Sequence, residues 1–325
     1  MADQQPVRVL TVGTGAVGAI YSWRLAQTCH VTTVCRSNYD AVSQNGFEIE
    51  SPKFGNGVFR PHHVVRTVSD AKEFGPFDFI VVTLKALDVY KTADIISPAV
   101  VEGKTTIVLI QNGYDIEPPI VERFPKNPLI SIVAYIGTSQ VAAGKIKMKA
   151  IERLQVGTHP ASVDSTVSCE KFKELLTKGG VLVEPVDNIV QVRFEKLFWN
   201  GSFSPVCAVL GLNTTEVIEN EMAVNLVKRL MREIMAAAEK ELGISYVAEA
   251  NDRIDGLIEG TAQGAAHYKP SMQLDLERKQ PMEVEVILGT ALKSAKKNGL
   301  DVPTLQAMHD LCKSFNIHHT KKAQL

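Results

Sequence analysis

Neither sign of charge dominates this 325-residue chain. Its 35 Lys and Arg stand against 36 Asp and Glu, a formal net charge of −1. That balance gives no electrostatic reason to expect nucleic acid or an anionic membrane as partner. Long apolar runs are also missing. Although 45% of the residues are hydrophobic, no run approaches the roughly 20 needed to span a bilayer. The opening Met-Ala-Asp-Gln-Gln-Pro has neither a basic end nor an apolar core, so a secretory signal is not expected. Cysteine is sparse, odd in number and scattered (Cys29, Cys35, Cys169, Cys207, Cys312), with no metal-ligand spacing. Reduced thiols, no metal and a cytoplasmic location are the expectation. The alternative address is peroxisomal, because the final Ala323-Gln324-Leu325 distantly resembles Ser-Lys-Leu. There is no internal repeat and no low-complexity stretch.

What is present begins almost at once. Val9-Leu10-Thr11-Val12 reads as a buried strand, and Gly13-Thr14-Gly15-Ala16-Val17-Gly18 follows it directly, running into a helical pattern over 16–28. In GxGxxG the first glycine allows a tight turn, the second lets backbone approach a pyrophosphate, and the third lets helix pack close to strand. The helix start aims its N–H groups at the phosphates. A second strand over 30–35 ends at Arg36, where an NAD-preferring site places an Asp or Glu for the ribose hydroxyls. A guanidinium suits a 2′-phosphate and a carboxylate would repel one. NADP(H) is therefore expected over NAD(H), with an ordinary surface cation as the bland alternative for Arg36.

At this length two domains are expected. The first half alternates strand and helix patterns, which predicts a parallel sheet. Runs over 77–84 and 105–110 are nearly all apolar, as in strands covered on both faces. Further β-like pieces lie at 129–134, 145–149, 153–156 and 181–186. Helical patterns then take over, including 219–242 and 282–298, each followed by glycine. The predicted class is α/β: a Rossmann-type dinucleotide-binding domain over 1–187 and an all-helical domain over 188–325. The apolar faces of the long helices suit a core or a homodimer equally.

Lys85 and Asn112 follow the two apolar runs and would share the rim of the glycine loop, where ligands of open α/β sheets bind. Each is also ordinary loop chemistry. In the segment Val192-Arg193-Phe194-Glu195-Lys196-Leu197-Phe198-Trp199-Asn200, Lys196 and Asn200 share a helical face, which Ser204 would continue. A lysine among such neighbours loses hydration, its pKa falls, and it becomes a better proton donor or acceptor. Reduction of a carbonyl needs such a group, since charge accumulates on oxygen. The same spacing is served by a lysine that snorkels out of a core helix. Ser271, Asp275, Glu283 and Glu285 lie in a polar stretch running into a helix, where cap and dipole roles are the bland reading.

Taken in order, Gly13-Thr-Gly-Ala-Val-Gly18, Val82-Thr-Leu-Lys85, Gln111-Asn112-Gly113, Lys196-Leu-Phe-Trp-Asn200 and Ser271-Met272…Asp275…Glu283 resemble the ketopantoate reductases (2-dehydropantoate 2-reductases) over nearly the whole chain. The resemblance implies NADPH-dependent reduction of a small keto acid, 2-dehydropantoate to pantoate, toward coenzyme A. It implies Lys196 as general acid and Asn112, Asn200, Ser204 and Ser271 as substrate residues. The glycine loop, Arg36, Lys85, Asn112, Thr138 and Glu283 would be cofactor residues. The family's second asparagine, just before proline, is here Ser204. That departure leaves room for a related NADP-dependent hydroxyacid dehydrogenase acting on another keto acid. A non-catalytic NADPH-binding sensor would keep the glycine loop and Arg36 but have no use for Lys196.

Overall fold

The computed structural model describes residues 5–323, without the side chains of residues 90 and 320–323. The first four residues, and Gln324 and Leu325 on which the peroxisomal alternative depends, lie outside the described residues. Two compact units emerge: Met1–Gln111 with Ile116–Ile189, and Asn112–Asp115 with Val190–Leu325. The chain thus enters the second unit for four residues, returns, and crosses again at Ile189.

The first unit runs β1 (Arg8–Val12), α1 (Ala16–Leu25), β2 (His30–Val34), α2 (Tyr39–Asn45), β3 (Phe47–Glu50), β4 (Gly57–Phe59), β5 (His63–Val65), β6 (Phe79–Val82) and α3 (Val89–Ile96). It continues with β7 (Thr106–Leu109), α4 (Pro118–Arg123), β8 (Leu129–Ala142), β9 (Lys145–Thr158), α5 (Thr166–Lys178) and β10 (Val183–Pro185). Among the described residues these strands form one ten-stranded sheet in the order β4-β3-β9-β8-β7-β6-β1-β2-β5, with β10 beside β9. From β8 to β5 all pairings are parallel. β6 and β7 are buried at every position, as strands covered on both faces must be. The order reverses at β1/β6, the switch point at whose carboxyl ends open α/β sheets bind ligands.

The two β-like pieces at 145–149 and 153–156 are one strand, β9, zipped antiparallel to β8 with register shifts at Ile136/Thr138 and Gln140/Ala142. A reversed polarity hides its middle. Ile151 is exposed, whereas Glu152 is buried, its carboxylate held by Lys53 Nζ at 2.5 Å and Tyr21 Oη at 3.3 Å. A buried carboxylate needs such partners, and it breaks the alternation that marks a strand.

The second unit holds α6 (Ile189–Asn200), α7 (Phe203–Leu210), α8 (Thr214–Glu219), α9 (Glu221–Leu242), α10 (Ala250–Gly264), α11 (Ser271–Glu277), α12 (Thr290–Lys297) and α13 (Pro303–Ala323). α9 is its spine. Asn220 Oδ1 accepts from the N–H groups of Met222 and Ala223, 3.1 Å each, capping two donors that the helix start leaves without partners. Val227, Leu230, Met231, Ile234, Ala237 and Ala238 bury one face of it, the i, i+3, i+4 stripe of a core helix. The helix predicted over 282–298 differs from expectation. It opens with a π-helical stretch, Glu285–Gly289, before α12. The Val286 carbonyl accepts from the Tyr114 N–H at 3.1 Å and from Thr290 Oγ1 at 3.0 Å. Such insertions into the helix ladder accompany π-bulges, and no local periodicity announces them.

Candidate functional site

In the first unit the glycine loop is shaped by its neighbours. Gly13 turns at φ +94°, and a Cβ there would lie 2.5 Å from the Leu84 backbone nitrogen. The Gly13 carbonyl accepts from Thr83 Oγ1 at 2.9 Å and from the Gly15 N–H at 2.7 Å. Thr14 is buried and donates through Oγ1 to the Val34 carbonyl at 3.1 Å. Gln111 donates to the Leu84 carbonyl at 2.7 Å, fixing the loop that carries Lys85.

Asn38 supports the same loop without any role for it being evident from the sequence. It stands at the N-cap of α2 but makes no capping bond. Its Nδ2 instead donates to the Thr14 carbonyl at 2.9 Å and to Gln140 Oε1 at 3.0 Å. No signal beyond its place after Arg36 could have revealed this.

These residues fit a dinucleotide phosphate. The first turn of α1, including Ala16, Val17 and Gly18, contains no acidic residue, and its N–H groups lack intrahelical acceptors. A Cβ on Gly15 would find nothing nearer than 3.9 Å. Arg36 is exposed just beyond β2, and Lys85 is exposed after β6. Thr138 is half-buried on β8 with its hydroxyl committed to the Lys147 carbonyl at 3.2 Å. A cavity of about 220 Å³ lined by Arg8, His30, Thr32 and His63 opens at the opposite, amino ends of β1, β2 and β5 and contains none of these residues.

In the second unit the structure joins three residues far apart in sequence. Lys196 Nζ donates to Asn112 Oδ1 at 3.0 Å, and Asn112 Nδ2 donates to Glu283 Oε2 at 3.3 Å. The amide cannot be reversed without setting its NH₂ against the ammonium, so the carboxylate orients the amide and the amide receives the lysine. α6 is seated by Phe194, Leu197 and Phe198, all buried, each contributing about 1.5–3 kcal/mol. At its end Trp199 Nε1 donates to Thr261 Oγ1 at 2.9 Å. The neighbouring Glu195 carboxylate is taken up by Gln191 at 2.8 Å and Tyr246 Oη at 3.0 Å. Burial pushes Lys196 down from the ordinary lysine value to about 8; the charge of Arg193 pushes the same way and Glu283 opposes. Lys196 itself is half-buried. Arg193, buried and donating to the Gly113 carbonyl at 3.0 Å, was not among the expected residues.

Asn200 lies one turn after Lys196, half-buried. Ser204 does not continue that helix. Ser202 Oγ caps the Phe198 and Trp199 carbonyls at 2.5 and 3.2 Å, α6 ends, and Ser204 sits buried in the first turn of α7, where Pro205 is tolerated. Ser271 is exposed and is the first residue of α11. Asn200, Ser204 and Ser271 make no side-chain hydrogen bond to the Lys196 group among the described residues. No cluster of three or more His, Cys, Asp or Glu suited to a metal occurs among the described residues, and no described helix is long and apolar enough to cross a membrane.

The chain is similar to known proteins over nearly its whole length. Residues 9–161 match the family model of ketopantoate reductase PanE/ApbA, and residues 188–316 match that of its C-terminal part. The chain is 31% identical over 333 residues to an uncharacterized protein of Saccharomyces cerevisiae, covering 94% of this chain and 92% of the other. It is 25% identical to the 2-dehydropantoate 2-reductase of Nostoc sp., covering 92% of each. The crystal structure of 2-dehydropantoate 2-reductase from Methylococcus capsulatus matches with a TM-score of 0.82 at 30% identity, covering 96% of this chain and 98% of the other.

Proposed function

The chain belongs to the ketopantoate reductase family and is an NADP-dependent oxidoreductase; from that premise we propose that it reduces 2-dehydropantoate to (R)-pantoate, with Lys196 as the proton donor. The observation that carries this reading is the Glu283–Asn112–Lys196 chain, ending in an amine held near pKa 8. Bound NADPH supplies the hydride that reduces the carbonyl carbon. The chain's own part is to hold the reactants and manage one proton. Lys196 gives that proton to the nascent alkoxide and regains one from solvent. Asn112 keeps the ammonium aimed, and Glu283 keeps Asn112 from turning. Asn112, Asn200, Ser204 and Ser271 orient the keto acid. The glycine loop and Arg36 hold the phosphates, while Lys85, Thr138 and Glu283 complete the cofactor contacts. We further place the protein in the cytoplasm, on the route to pantothenate and coenzyme A.

A panel of keto acids with NADPH, comparing wild type with Lys196→Ala, tests the reading. Turnover on 2-dehydropantoate that vanishes in the variant supports it. Preference for another 2-keto acid would assign the buried Ser204 hydroxyl, in place of the family's asparagine amide, to a different side chain. Tight NADPH binding with no turnover on any acid would make the protein a sensor.

Two further expectations follow from the same residues. In reduction, Lys196 must begin protonated. The rate is therefore expected to be level below pH 8 and to fall about tenfold per unit above it, while alcohol oxidation rises through the same range. A reduction profile that stays flat well above pH 8 would remove Lys196 from this role. Arg36→Asp exchanges a fork of donors for a repelling carboxylate. Charge-assisted hydrogen bonds of this kind are worth about 1.5–3 kcal/mol, so the Kd for NADPH should rise at least about tenfold while that for NADH changes little. Equal effects on the two cofactors would contradict a 2′-phosphate contact.

A further inference from the structure

We propose that Arg193 is a positioning residue for the proton donor: by gripping the Gly113 carbonyl it fixes Asn112 against Lys196, so that one helix carries both the amine and the clamp that orients its acceptor. The proposal rests on the reading of Lys196 as proton donor, and both side chains it joins stand on α6. Arg193 and Lys196 are three residues apart and share a helical face. Arg193 is 2% exposed, an expensive place for a guanidinium unless its donors are engaged. Its Nη1 donates to the Gly113 carbonyl at 3.0 Å, one residue beyond the Asn112 that receives Lys196.

The same short segment is fixed from its other side. The Tyr114 N–H donates to the Val286 carbonyl at 3.1 Å, and the Tyr114 ring lies 4.4 Å from that of Phe194, centroid to centroid. The segment Asn112–Asp115 is therefore caught between α6 and the π-helical stretch. The Lys196–Asn112 distance is set by packed helices and not by a mobile loop. Misplacing a reacting group by an ångström can cost about a hundredfold in rate, which is what such a clamp prevents.

Arg193 also acts through its charge. The charged and polar groups facing Lys196 include Arg193 on its own helix, Glu283 ahead of the π-helical stretch, and Asn112. Removing the guanidinium removes a repulsion that disfavours the ammonium. Losing the Asn112 acceptor would act in the opposite sense, but a full charge outweighs a neutral amide. The net movement of the Lys196 titration is upward.

The experiment compares Arg193→Met, which keeps the stem but loses donors and charge, with Arg193→Lys, which keeps the charge and a single donor group. Three readouts are needed: kcat and KM for the keto acid, the Kd for NADPH, and titration of the Lys196 amine by NMR of isotopically labelled lysine, assigned by its absence in Lys196→Ala. For Arg193→Met the expectation is a kcat about 10- to 100-fold lower, an amine midpoint about half to one pH unit higher, and NADPH binding within about twofold of wild type. Arg193→Lys should restore the midpoint and part of kcat. A lower melting temperature with kcat and midpoint unmoved would show a merely structural arginine and overturn the proposal. If Arg193→Met does not fold, Arg193→Lys decides: a wild-type midpoint with kcat reduced about tenfold supports positioning, and a wild-type kcat sinks it. Failure of the proton-donor reading shows separately, as normal turnover by Lys196→Ala.

Discussion

Lys196→Ala is expected to give a folded protein that binds NADPH normally and reduces its keto acid about 10²- to 10⁴-fold more slowly, the range for a lost, positioned general acid. The reasons are local. The substitution removes the amine that donates to Asn112 at 3.0 Å and whose burial brings its pKa to about 8, close enough to neutrality for both protonation states to be used in a cycle. It leaves the glycine loop untouched, and the apolar anchors Phe194, Leu197 and Phe198 still seat the helix. Lys196→Arg is expected to be nearly as slow despite keeping the charge, because a guanidinium does not release its proton in proteins. Single-turnover rates at pH 7, with NADPH affinity measured in parallel by fluorescence, check both variants. A loss of only about twofold in Lys196→Ala would assign the proton transfer elsewhere.

The second large effect is expected from Gly113→Ala, a change of one methyl group. Gly113 sits at φ +102°, where an L side chain is strained, and a Cβ there would lie 2.4 Å from Val286 Cβ and 2.9 Å from the Val286 carbonyl oxygen. The strain alone costs about 1–3 kcal/mol, and the clash is with a side chain branched at the backbone, which cannot swing aside. The segment must lift from the π-helical stretch, taking Asn112 from Lys196 and Gly113's carbonyl from Arg193. A fall in kcat/KM of about a hundredfold is expected, with NADPH affinity preserved. Steady-state kinetics beside a urea melt separates the two consequences. Wild-type turnover at reduced stability would mean that the segment's placement has no part in catalysis.

Much of the first unit was legible because its signals are adjacent in the chain. Val9 to Gly18 carries a buried strand, a turn and a helix start within a few residues, and the strands at β6 and β7 announce themselves by unbroken apolar composition. The Lys196 cluster was legible in a different way. Its members are separated by 84 and 171 residues and no periodicity pairs them; the ordered motifs that resemble a family named each residue without joining them. What escaped had physical reasons. Arg193 reads as a surface cation on an amphipathic helix until its burial is known. The π-helical stretch satisfies a 3.6-residue pattern almost as well as an α-helix does. Ser204 seemed to extend the lysine face because spacing cannot see Ser202 turning back onto the Phe198 and Trp199 carbonyls. Asn38 stands where a capping residue belongs and spends its amide on the glycine loop instead.

The four-residue excursion Asn112–Asp115 constrains how this enzyme can be taken apart or re-engineered. A fragment starting at Val190 would keep the amine and lose the amide that receives it. A chimera joined only at Ile189, made to import another nucleotide preference, would bring in a foreign version of that strip and press it against a native arginine. Module exchange therefore needs three junctions, at Gln111/Asn112, Asp115/Ile116 and Ile189/Val190, with the strip inherited from the helical parent.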